Sequence, residues 1–260
     1  MGNLTVVKIG GNVLDNEQQL KNFLEKFSTL SGTKILVHGG GILASQMLEK
    51  TGIPINMYEG RRITDFDTLR VCTMVYAGYI NKNIVAQLQK LNCNAIGLSG
   101  ADGNCIKAVR RAAIPIDYGY VGDISADDVD LSLLSCLLEK NITLVFSAIT
   151  HDGEGCLLNT NADTVASTLA VVLSKKYRTK LIFCFEKQGV LSDPNDDTTV
   201  IDNLIYDRFI QLKQSKSIGK GMLPKLDNAF KALRNGVHEI YIKHANDLLL
   251  DKGTKITQNE

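Results

Sequence analysis

The sequence lacks several features that would place it in a large class of proteins. Its 29 Lys and Arg residues almost balance its 28 Asp and Glu residues, with a formal net charge of +1, so there is no basic excess of the kind that nucleic-acid-binding proteins usually carry. No apolar run approaches the roughly 18 residues that span a bilayer. A strand pattern begins almost at the first residue, which argues against a signal peptide, and Val6 stands where N-myristoylation requires Ser or Thr. We therefore expect a cytoplasmic protein with neither nucleic acid nor a membrane as its partner.

Cysteine pairs at metal-binding or redox spacing are also absent. None of the six cysteines forms a C-x-x-C pair, and most of them lie within apolar runs. This pattern favours buried thiols in a reducing compartment. The six are Cys72, Cys93, Cys105, Cys136, Cys156 and Cys184.

What the sequence does contain is a regular alternation of short apolar runs and helical stretches. The apolar runs predict strands at 4–9, 34–38, 94–100 (leading into a loop), 142–149, 180–185 and 238–243, with a hairpin within 104–124. The helical periodicity predicts helices at 16–30, 44–50, 66–91 (possible bend at Gly78), 127–140, 162–175, 203–215 and 223–235. This alternation is typical of an α/β protein, and we predict a three-layer αβα sandwich around a mainly parallel central sheet, with 238–243 as its last strand.

Glycine clusters follow three of the predicted strands, at 10–11, 39–41 and 97–103. Ligands of α/β sheets bind beyond the carboxyl ends of the strands, and glycines let backbone N–H groups approach an anion closely. Each cluster alone is equally well explained as a tight turn. The nucleotide-binding pattern G-x-x-x-x-G-K-[ST] is absent, but GGGILA at 39–44 matches the G-x-G-x-x-A of dinucleotide-binding sites.

Lys8 favours phosphoryl transfer over dinucleotide binding. A charged ammonium at the end of a buried strand is costly without a partner, and a nicotinamide site has no need for it. Phosphoryl transfer needs fixed positive charge around the moving group. Lys225, after a glycine loop, offers a second cation, and Asp163, near a helix start with Asn159 and Asn161, offers the acid that would hold both. Taken singly, Lys225 reads as a surface lysine and Asp163 as a helix cap.

Six motifs in a fixed order resemble the amino acid kinase family, and within it most closely the acetylglutamate kinases of arginine biosynthesis. They are K-x-G-G (8–11), VHGGG (37–41), GRRIT (60–64), GLSGADG (97–103), NTNAD (159–163) and GMLPK (221–225). The resemblance runs from about residue 4 to 243. It implies ATP-dependent phosphorylation of the γ-carboxylate of N-acetyl-L-glutamate, with Mg²⁺ held mainly by phosphates and water, and one domain made of an amino-acid lobe (1–175) and a nucleotide lobe (176–260).

The resemblance also implies roles for single residues. Lys8 and Lys225 would stabilise the transferring phosphoryl group, and Asp163 would organise them. The amino-acid substrate would contact Gly40, Gly41, Arg62 and Asn159. Phosphate and nucleotide would contact Gly10, Gly11, Glu186, Gly189, Leu191, Ser217 and Gly219. His38 is expected to be structural, because an ionised carboxylate nucleophile needs no general base.

Two positions depart from the family pattern. Glu186 stands where an aspartate is expected, and its side chain is one methylene longer. Arg61 stands where an apolar residue is usual, either as a surface arginine or as an extra cation for a second substrate carboxylate, as in N-succinyl-L-glutamate. No helix precedes the first strand, from which we expect a homodimer insensitive to arginine.

Three other interpretations remain open. One is a carbamate or uridylate kinase of the same fold, which GRRIT and NTNAD make a weaker reading. A second is a non-catalytic amino acid or nucleotide sensor on this scaffold. The third is an NAD-dependent oxidoreductase.

Overall fold

The computed structural model describes residues 1–193, 195–215, 217–219 and 221–258. Its strands are β1 (Asn3–Ile9), β2 (Thr33–His38), β3 (Met57–Tyr58), β4 (Arg61–Arg62), β5 (Ala95–Leu98), β6 (Val109–Arg110), β7 (Val121–Asp123), β8 (Thr143–Ser147), β9 (Ile149–His151), β10 (Leu157–Thr160), β11 (Arg178–Phe185), β12 (Asn203–Ile205), β13 (Glu239–His244) and β14 (Thr254–Thr257). Its α-helices are α1 (Gly11–Leu14), α2 (Glu17–Ser28), α3 (Gly41–Lys50), α4 (Phe66–Thr73), α5 (Asn81–Lys90), α6 (Leu131–Glu139), α7 (Ala162–Ser174), α8 (Tyr206–Gln214) and α9 (Leu223–Arg234). A π-helical segment, Met74–Ile80, joins α4 to α5.

An eight-stranded sheet in the order β12-β14-β13-β11-β1-β2-β8-β5 forms the centre of the molecule. All of its neighbouring strands run parallel except β13 and β14. A smaller sheet, β6-β7-β10-β9, and the hairpin β3-β4 lie outside it. The prediction of an α/β fold with a mainly parallel sheet is confirmed.

The side chains of β1 show why helices cover both faces of this sheet. Successive residues of a strand point to opposite faces, so Val6 joins the core formed with α6 to α9, and Val7 joins the core formed with α2 to α5. Both residues are fully buried. In α2, the buried residues Leu20, Phe23, Leu24 and Phe27 recur at helical spacing, and the Asn16 side chain caps its first turn by accepting from the Gln19 N–H at 2.9 Å.

Several predicted boundaries were wrong. The apolar run 142–149 is two strands, because β8 pairs with β2 and β5 whereas β9 pairs antiparallel with β10. The strand at 239–244 is not the last, since β14 follows and pairs with it. Helix α3 begins at Gly41 rather than at position 44, and residues 126–128 form a separate 3₁₀ turn before α6.

Four of the six free thiols are buried, whereas Cys136 is exposed and Cys156 partly so. In the part of the chain that the structure describes, no helix combines the length and the apolar character needed to cross a membrane.

Candidate functional site

The site lies at the carboxyl edge of the central sheet. Lys8 pairs in register with Val37 of β2 and Phe183 of β11, so the ends of three neighbouring strands meet there. Gly10 follows β1, and Gly39, Gly40 and Gly41 follow β2. The first turn of α7 reaches the same edge. The Asn161 side chain caps this helix, and Asp163 is its second residue.

Asp163 bridges two lysines from opposite ends of the chain. The Nζ atom of Lys8 lies 2.7 Å from its Oδ1 atom, and the Nζ atom of Lys225 lies 3.8 Å from its Oδ2 atom. Lys225 is the third residue of α9 and also donates to the carbonyl of Gly221 at 3.2 Å. Two cations and one anion leave a net positive charge at this point.

Burial decides how strongly these charges interact. Asp163 is only 7 % exposed and Lys8 only 9 %. Burial acts to raise the pKa of Asp163, but the neighbouring charges of Lys8 and Lys225 outweigh it and hold the pKa below its ordinary value. The carboxylate is therefore ionised at neutral pH and keeps the two ammonium groups close together.

A cavity of about 250 Å³, here called the N-terminal cavity, opens on one side of this cluster. It is lined by Gly39, Gly40, Gly41, Met57, Gly60, Arg61, Arg62, Tyr76, Arg111, Val121, Ala148, Asn159, Thr160, Asn161 and Ala162. Asp163 directly follows the last of these residues. The structure thus brings together all five residues that the sequence assigned to the amino-acid substrate or to an extra carboxylate: Gly40, Gly41, Arg61, Arg62 and Asn159.

Arg62 is held so that part of its guanidinium stays free. Its Nη2 atom donates to the Gly41 carbonyl at 3.0 Å and to the Ser45 hydroxyl at 2.7 Å. Its Nη1 atom is buried and has no partner among the described residues. Asn159 is oriented by a bond of 3.1 Å from its amide to the Thr64 hydroxyl. A buried donor without an acceptor suits an anionic ligand.

Arg111 is a cavity residue that the sequence analysis missed. Its guanidinium forms a two-pronged pair with Asp123, with Nε at 3.0 Å from Oδ2. The hydrogen bond to Asp123 raises the pKa of Arg111. Residues 104–124 were interpreted only as a hairpin, although RR at 110–111 repeats the doublet of GRRIT and was the available signal.

A second cavity, of about 240 Å³ and here called the C-terminal cavity, lies on the other side of the cluster. It is lined by Phe185, Glu186, Lys187, Gly189, Val190, Leu191, Ile218, Gly219, Gly221, Met222 and Lys225. Glu186, Gly189, Leu191 and Gly219 of the predicted nucleotide set are among them. Ser217 is not among its described lining residues, and it bonds instead to Ser215 and Leu212. Lys225 belongs both to this cavity and to the lysine pair, and Asp163 directly follows Ala162 of the N-terminal cavity, so the cluster is adjacent to both cavities.

The glycines after β1 and β2 differ in what they offer. The Gly10 N–H already donates to the Cys184 carbonyl at 3.0 Å, whereas Gly11 opens α1. Gly40 has φ = 152°, a conformation that favours glycine. A Cβ atom there would also meet Ile80 and Tyr76 of the π-helical segment. Both the backbone conformation and the lack of space for a Cβ atom therefore require glycine at position 40.

Comparison with known proteins identifies the family to which the chain belongs. Residues 3–244 match the model of the amino acid kinase family. The chain is 47 % identical to the acetylglutamate kinase of Bacteroides thetaiotaomicron, over 97 % of this chain and 98 % of that protein. It is also 47 % identical to the acetylglutamate kinase of Cytophaga hutchinsonii over the full length of both. Among solved structures, the protein smu.665 of Streptococcus mutans is similar with a TM-score of 0.80 and 25 % identity over 98 % of both chains. The chain therefore belongs to the amino acid kinase family.

Proposed function

We propose that this chain transfers the γ-phosphoryl group of ATP to the γ-carboxylate of N-acetyl-L-glutamate, giving N-acetylglutamyl 5-phosphate and ADP, a reaction of arginine biosynthesis. The full-length identity to acetylglutamate kinases supports the substrate and the acceptor group. The single observation that carries the proposal is the pair of lysines on one buried carboxylate between two cavities.

The chemistry needs charge and position rather than a base. A γ-carboxylate with an ordinary pKa near about 4.3 is already ionised at neutral pH. Negative charge accumulates on the oxygens of the moving phosphoryl group, and fixed cations aimed at those oxygens lower the barrier. Lys8 and Lys225 supply the cations, one from each side. Asp163 offsets their mutual repulsion and fixes their spacing.

The amino-acid substrate would occupy the N-terminal cavity. The free Nη1 atom of Arg62 would bind its α-carboxylate, and the Asn159 side chain would hold the same end of the molecule. Gly40 and Gly41 would offer backbone N–H groups where the two substrates meet. The γ-carboxylate would then point toward Lys8.

ATP would occupy the C-terminal cavity. Gly189 and Gly219 leave its wall open to phosphates and ribose, Leu191 offers an apolar surface, and Glu186 contributes the polar edge. Mg²⁺ would be held by phosphate oxygens and water, because the one carboxylate of the cluster, Asp163, is already engaged by two lysines. This division also supports the proposal of an amino-acid lobe at 1–175 and a nucleotide lobe at 176–260.

The decisive experiment measures ADP release with and without N-acetyl-L-glutamate, with hydroxylamine present to trap the acyl phosphate. Wild type should release ADP only with the amino acid and should yield the hydroxamate. Lys8→Ala should lose kcat by about 100-fold or more while nucleotide binding persists. A wild type that binds both ligands but forms no hydroxamate would instead be a sensor.

A second candidate substrate, N-succinyl-L-glutamate, is favoured by one additional arginine in the N-terminal cavity that is unpaired within the described part of the chain. Arg61 and Arg111 both line it, and the charge of Arg111 is already neutralised by Asp123. Arg61 is therefore the residue that would face a second carboxylate on the acyl group. The test is the ratio of kcat/KM for the succinyl and acetyl substrates in wild type and in Arg61→Ala. An unchanged ratio rejects this candidate.

We also propose that the chain is a homodimer insensitive to arginine and acts in the cytoplasm. Light scattering of the purified protein measures the assembly. Assays with millimolar arginine measure the regulation, and inhibition would contradict the proposal.

A further inference from the structure

His38 lies at the end of β2, immediately before the three glycines of the N-terminal cavity. It is fully buried, and both nitrogens of its ring have partners. Nδ1 lies 2.9 Å from the Gly39 carbonyl oxygen, and Nε2 lies 3.1 Å from the Asn81 amide nitrogen. The proposed reaction gives this ring no chemical task, yet every polar atom it has is committed.

The partners fix the direction of each hydrogen bond. A carbonyl oxygen only accepts, so Nδ1 must carry the proton and donate to Gly39. An amide nitrogen only donates, so Nε2 accepts from Asn81. The orientation of the Asn81 amide is itself fixed, since its Nδ2 also donates to the Val145 carbonyl at 2.9 Å and its Oδ1 accepts from Lys82 at 3.2 Å.

The His38 ring is also neutral, in addition to having one defined tautomer. Burial lowers the pKa of His38 to about 4, the bond to Gly39 acts against that lowering, and the charge of Lys82 adds to it. The resulting chain runs from Lys82 through Asn81 and His38 to the Gly39 carbonyl.

The end of this chain controls the orientation of a peptide group. The Gly39–Gly40 peptide is planar and trans, so its C=O and N–H bonds point in opposite directions. Neither glycine has a side chain to restrict rotation of this plane. Once the carbonyl is bonded to His38, the Gly40 N–H must point away from the buried ring, and it has no protein acceptor among the described residues. Gly39 and Gly40 both line the N-terminal cavity.

A second contact holds the same peptide from the helical side. The side chains of Tyr76 and Ile80 lie beside Gly40 and fill the space that a Cβ atom there would need, and they belong to the segment that continues directly into Asn81. One stretch of helix thus supplies both the packing and the hydrogen bond that fix this turn.

We propose that His38 is a positioning residue, whose Nδ1–H bond to the Gly39 carbonyl aims the Gly40 N–H at the oxygens that gain negative charge during phosphoryl transfer. The inference rests on the proposed kinase function and adds to it a residue that touches neither substrate. Only the bond to Gly39 performs this task, and the bond to Asn81 holds the ring in place.

Two matched variants separate the two bonds. The amide of His38→Asn places a nitrogen near the position of Nδ1, where it can donate to Gly39 but not reach Asn81. The amide of His38→Gln reaches the position of Nε2, where its oxygen can accept from Asn81 but not serve Gly39. His38→Leu removes both bonds. We expect His38→Asn to keep kcat within about threefold of wild type and the other two variants to lose about tenfold or more, since small misplacements of catalytic groups are costly.

The kcat of each variant has to be compared at a known folded fraction. If positioning matters, the loss in His38→Gln falls on kcat per folded molecule, with folded enzyme counted by nucleotide binding, and the KM for ATP changes little. Equal kcat in His38→Asn and His38→Gln, at equal folded fraction, overturns the inference. If wild type itself lacks kinase activity, the proposed function fails, and the positioning claim for it fails too. An active wild type with indistinguishable variants sinks only the positioning claim.

A measurement on wild type covers the case in which the variants do not fold. Two-bond proton–nitrogen NMR correlations of ¹⁵N-histidine-labelled protein report which ring nitrogen carries the proton. We expect one buried ring at neutral pH with the proton on Nδ1. A proton on Nε2, or a charged ring, would contradict the hydrogen-bond chain and the inference with it.

Discussion

The residues of the lysine pair depend on each other because water is nearly excluded around them. A buried charge without a partner costs several kcal/mol, whereas a well-paired one roughly breaks even. Burying the charge of Lys8 costs free energy, and the paired carboxylate of Asp163 offsets this cost. The same carboxylate also stabilises the charge of Lys225. The cluster therefore keeps a net positive charge at the point where a phosphoryl group would be transferred.

Removing the shared carboxylate should harm both stability and catalysis. Asp163→Asn leaves two ammonium groups facing each other with no anion between them, and Lys8 has little access to water. We expect the free energy of unfolding to fall by about 3 kcal/mol and kcat to fall by about 100-fold or more because the lysines move apart. Urea unfolding and the hydroxamate assay measure the two effects.

The matched control is an ion pair of the same kind at the surface. Lys213 and Asp227 lie 3.1 Å apart with about half of each side chain exposed. Asp227→Asn should change stability by less than about 1 kcal/mol and leave kcat unaltered. If both Asn variants behave alike, burial is not what makes the Asp163 cluster strong.

The buried His38 predicts a pH dependence of stability with a definite sign. The folded chain resists protonation of this ring until about pH 4, whereas the unfolded chain takes up the proton near pH 6.5. The unfolded state therefore binds more protons between these values, and stability is lost as the pH falls through this window. Between pH 7 and pH 5 we expect wild type to lose about 2 kcal/mol more than His38→Asn, which has no titrating ring. Urea unfolding at the two pH values measures it, and parallel losses would contradict it.

Single residues also mark how far the sequence could predict the site. Lys8 stands out because a cation at the end of an apolar strand needs a partner. That Asp163 also serves Lys225 was predicted from the ordered set of family motifs, because Lys225 taken singly has the pattern of a surface lysine. Arg111 was missed because its surroundings read as an ordinary surface hairpin, and its place in the cavity depends on β6 folding back on β7.

At the scale of elements, the contact between the start of α3 and the π-helical segment shapes the N-terminal cavity. A π-helical stretch shifts the residues that follow it around the helix axis, and such stretches are frequent at functional sites. Here the segment presents Tyr76 and Ile80 to Gly40, and Asn81 to His38. Gly40 can therefore approach this helix more closely than a residue with a side chain could.

Gly40→Ala should break this contact. Its φ of 152° disfavours a side chain, and the added Cβ atom would overlap Ile80 and crowd Tyr76. We expect a loss of about 2 kcal/mol or more in unfolding free energy from backbone strain and overpacking. Urea unfolding measures it.

Gly41→Ala is the steric control, because a Cβ atom there meets nothing within 4 Å, and its stability should stay within about 0.5 kcal/mol of wild type. The pair Gly40→Ala with Ile80→Ala should recover part of the loss relative to the two single changes. No recovery would mean that the φ angle alone is responsible.

The element boundaries that the sequence missed share a physical cause. An apolar run such as ITLVFSAI contains no mark of the point where the chain leaves one sheet for another, because both halves are buried. Strand β14 is only four residues long. It pairs with the neighbouring strand β13 and also with β12, which lies far away in sequence. Long, strongly periodic elements such as α2 and α7 were predicted within two residues at each end.

At the scale of the whole molecule, one continuous sheet carries both cavities on the same edge. The residues of the N-terminal cavity come from positions 39–162 and those of the C-terminal cavity from positions 185–225, and the lysine pair is where they meet. Each cavity can therefore bind its own ligand through its own contacts. The proposed reaction, by contrast, would require residues from both halves of the chain at once.

This separation predicts which double variants should be additive. Arg62→Lys removes the planar guanidinium from the N-terminal cavity and should raise the KM for the amino acid by about tenfold with little change in the KM for ATP. Glu186→Ala should raise only the KM for ATP. Because the two sites share no partner, the free-energy changes in kcat/KM should add within about 0.5 kcal/mol.

Asp163→Asn with Lys225→Ala should be far from additive, since each change already breaks the same ion pair. If the first double variant is as non-additive as the second, the cavities are coupled through more than the lysine pair, and closure of one part of the molecule on the other must accompany binding.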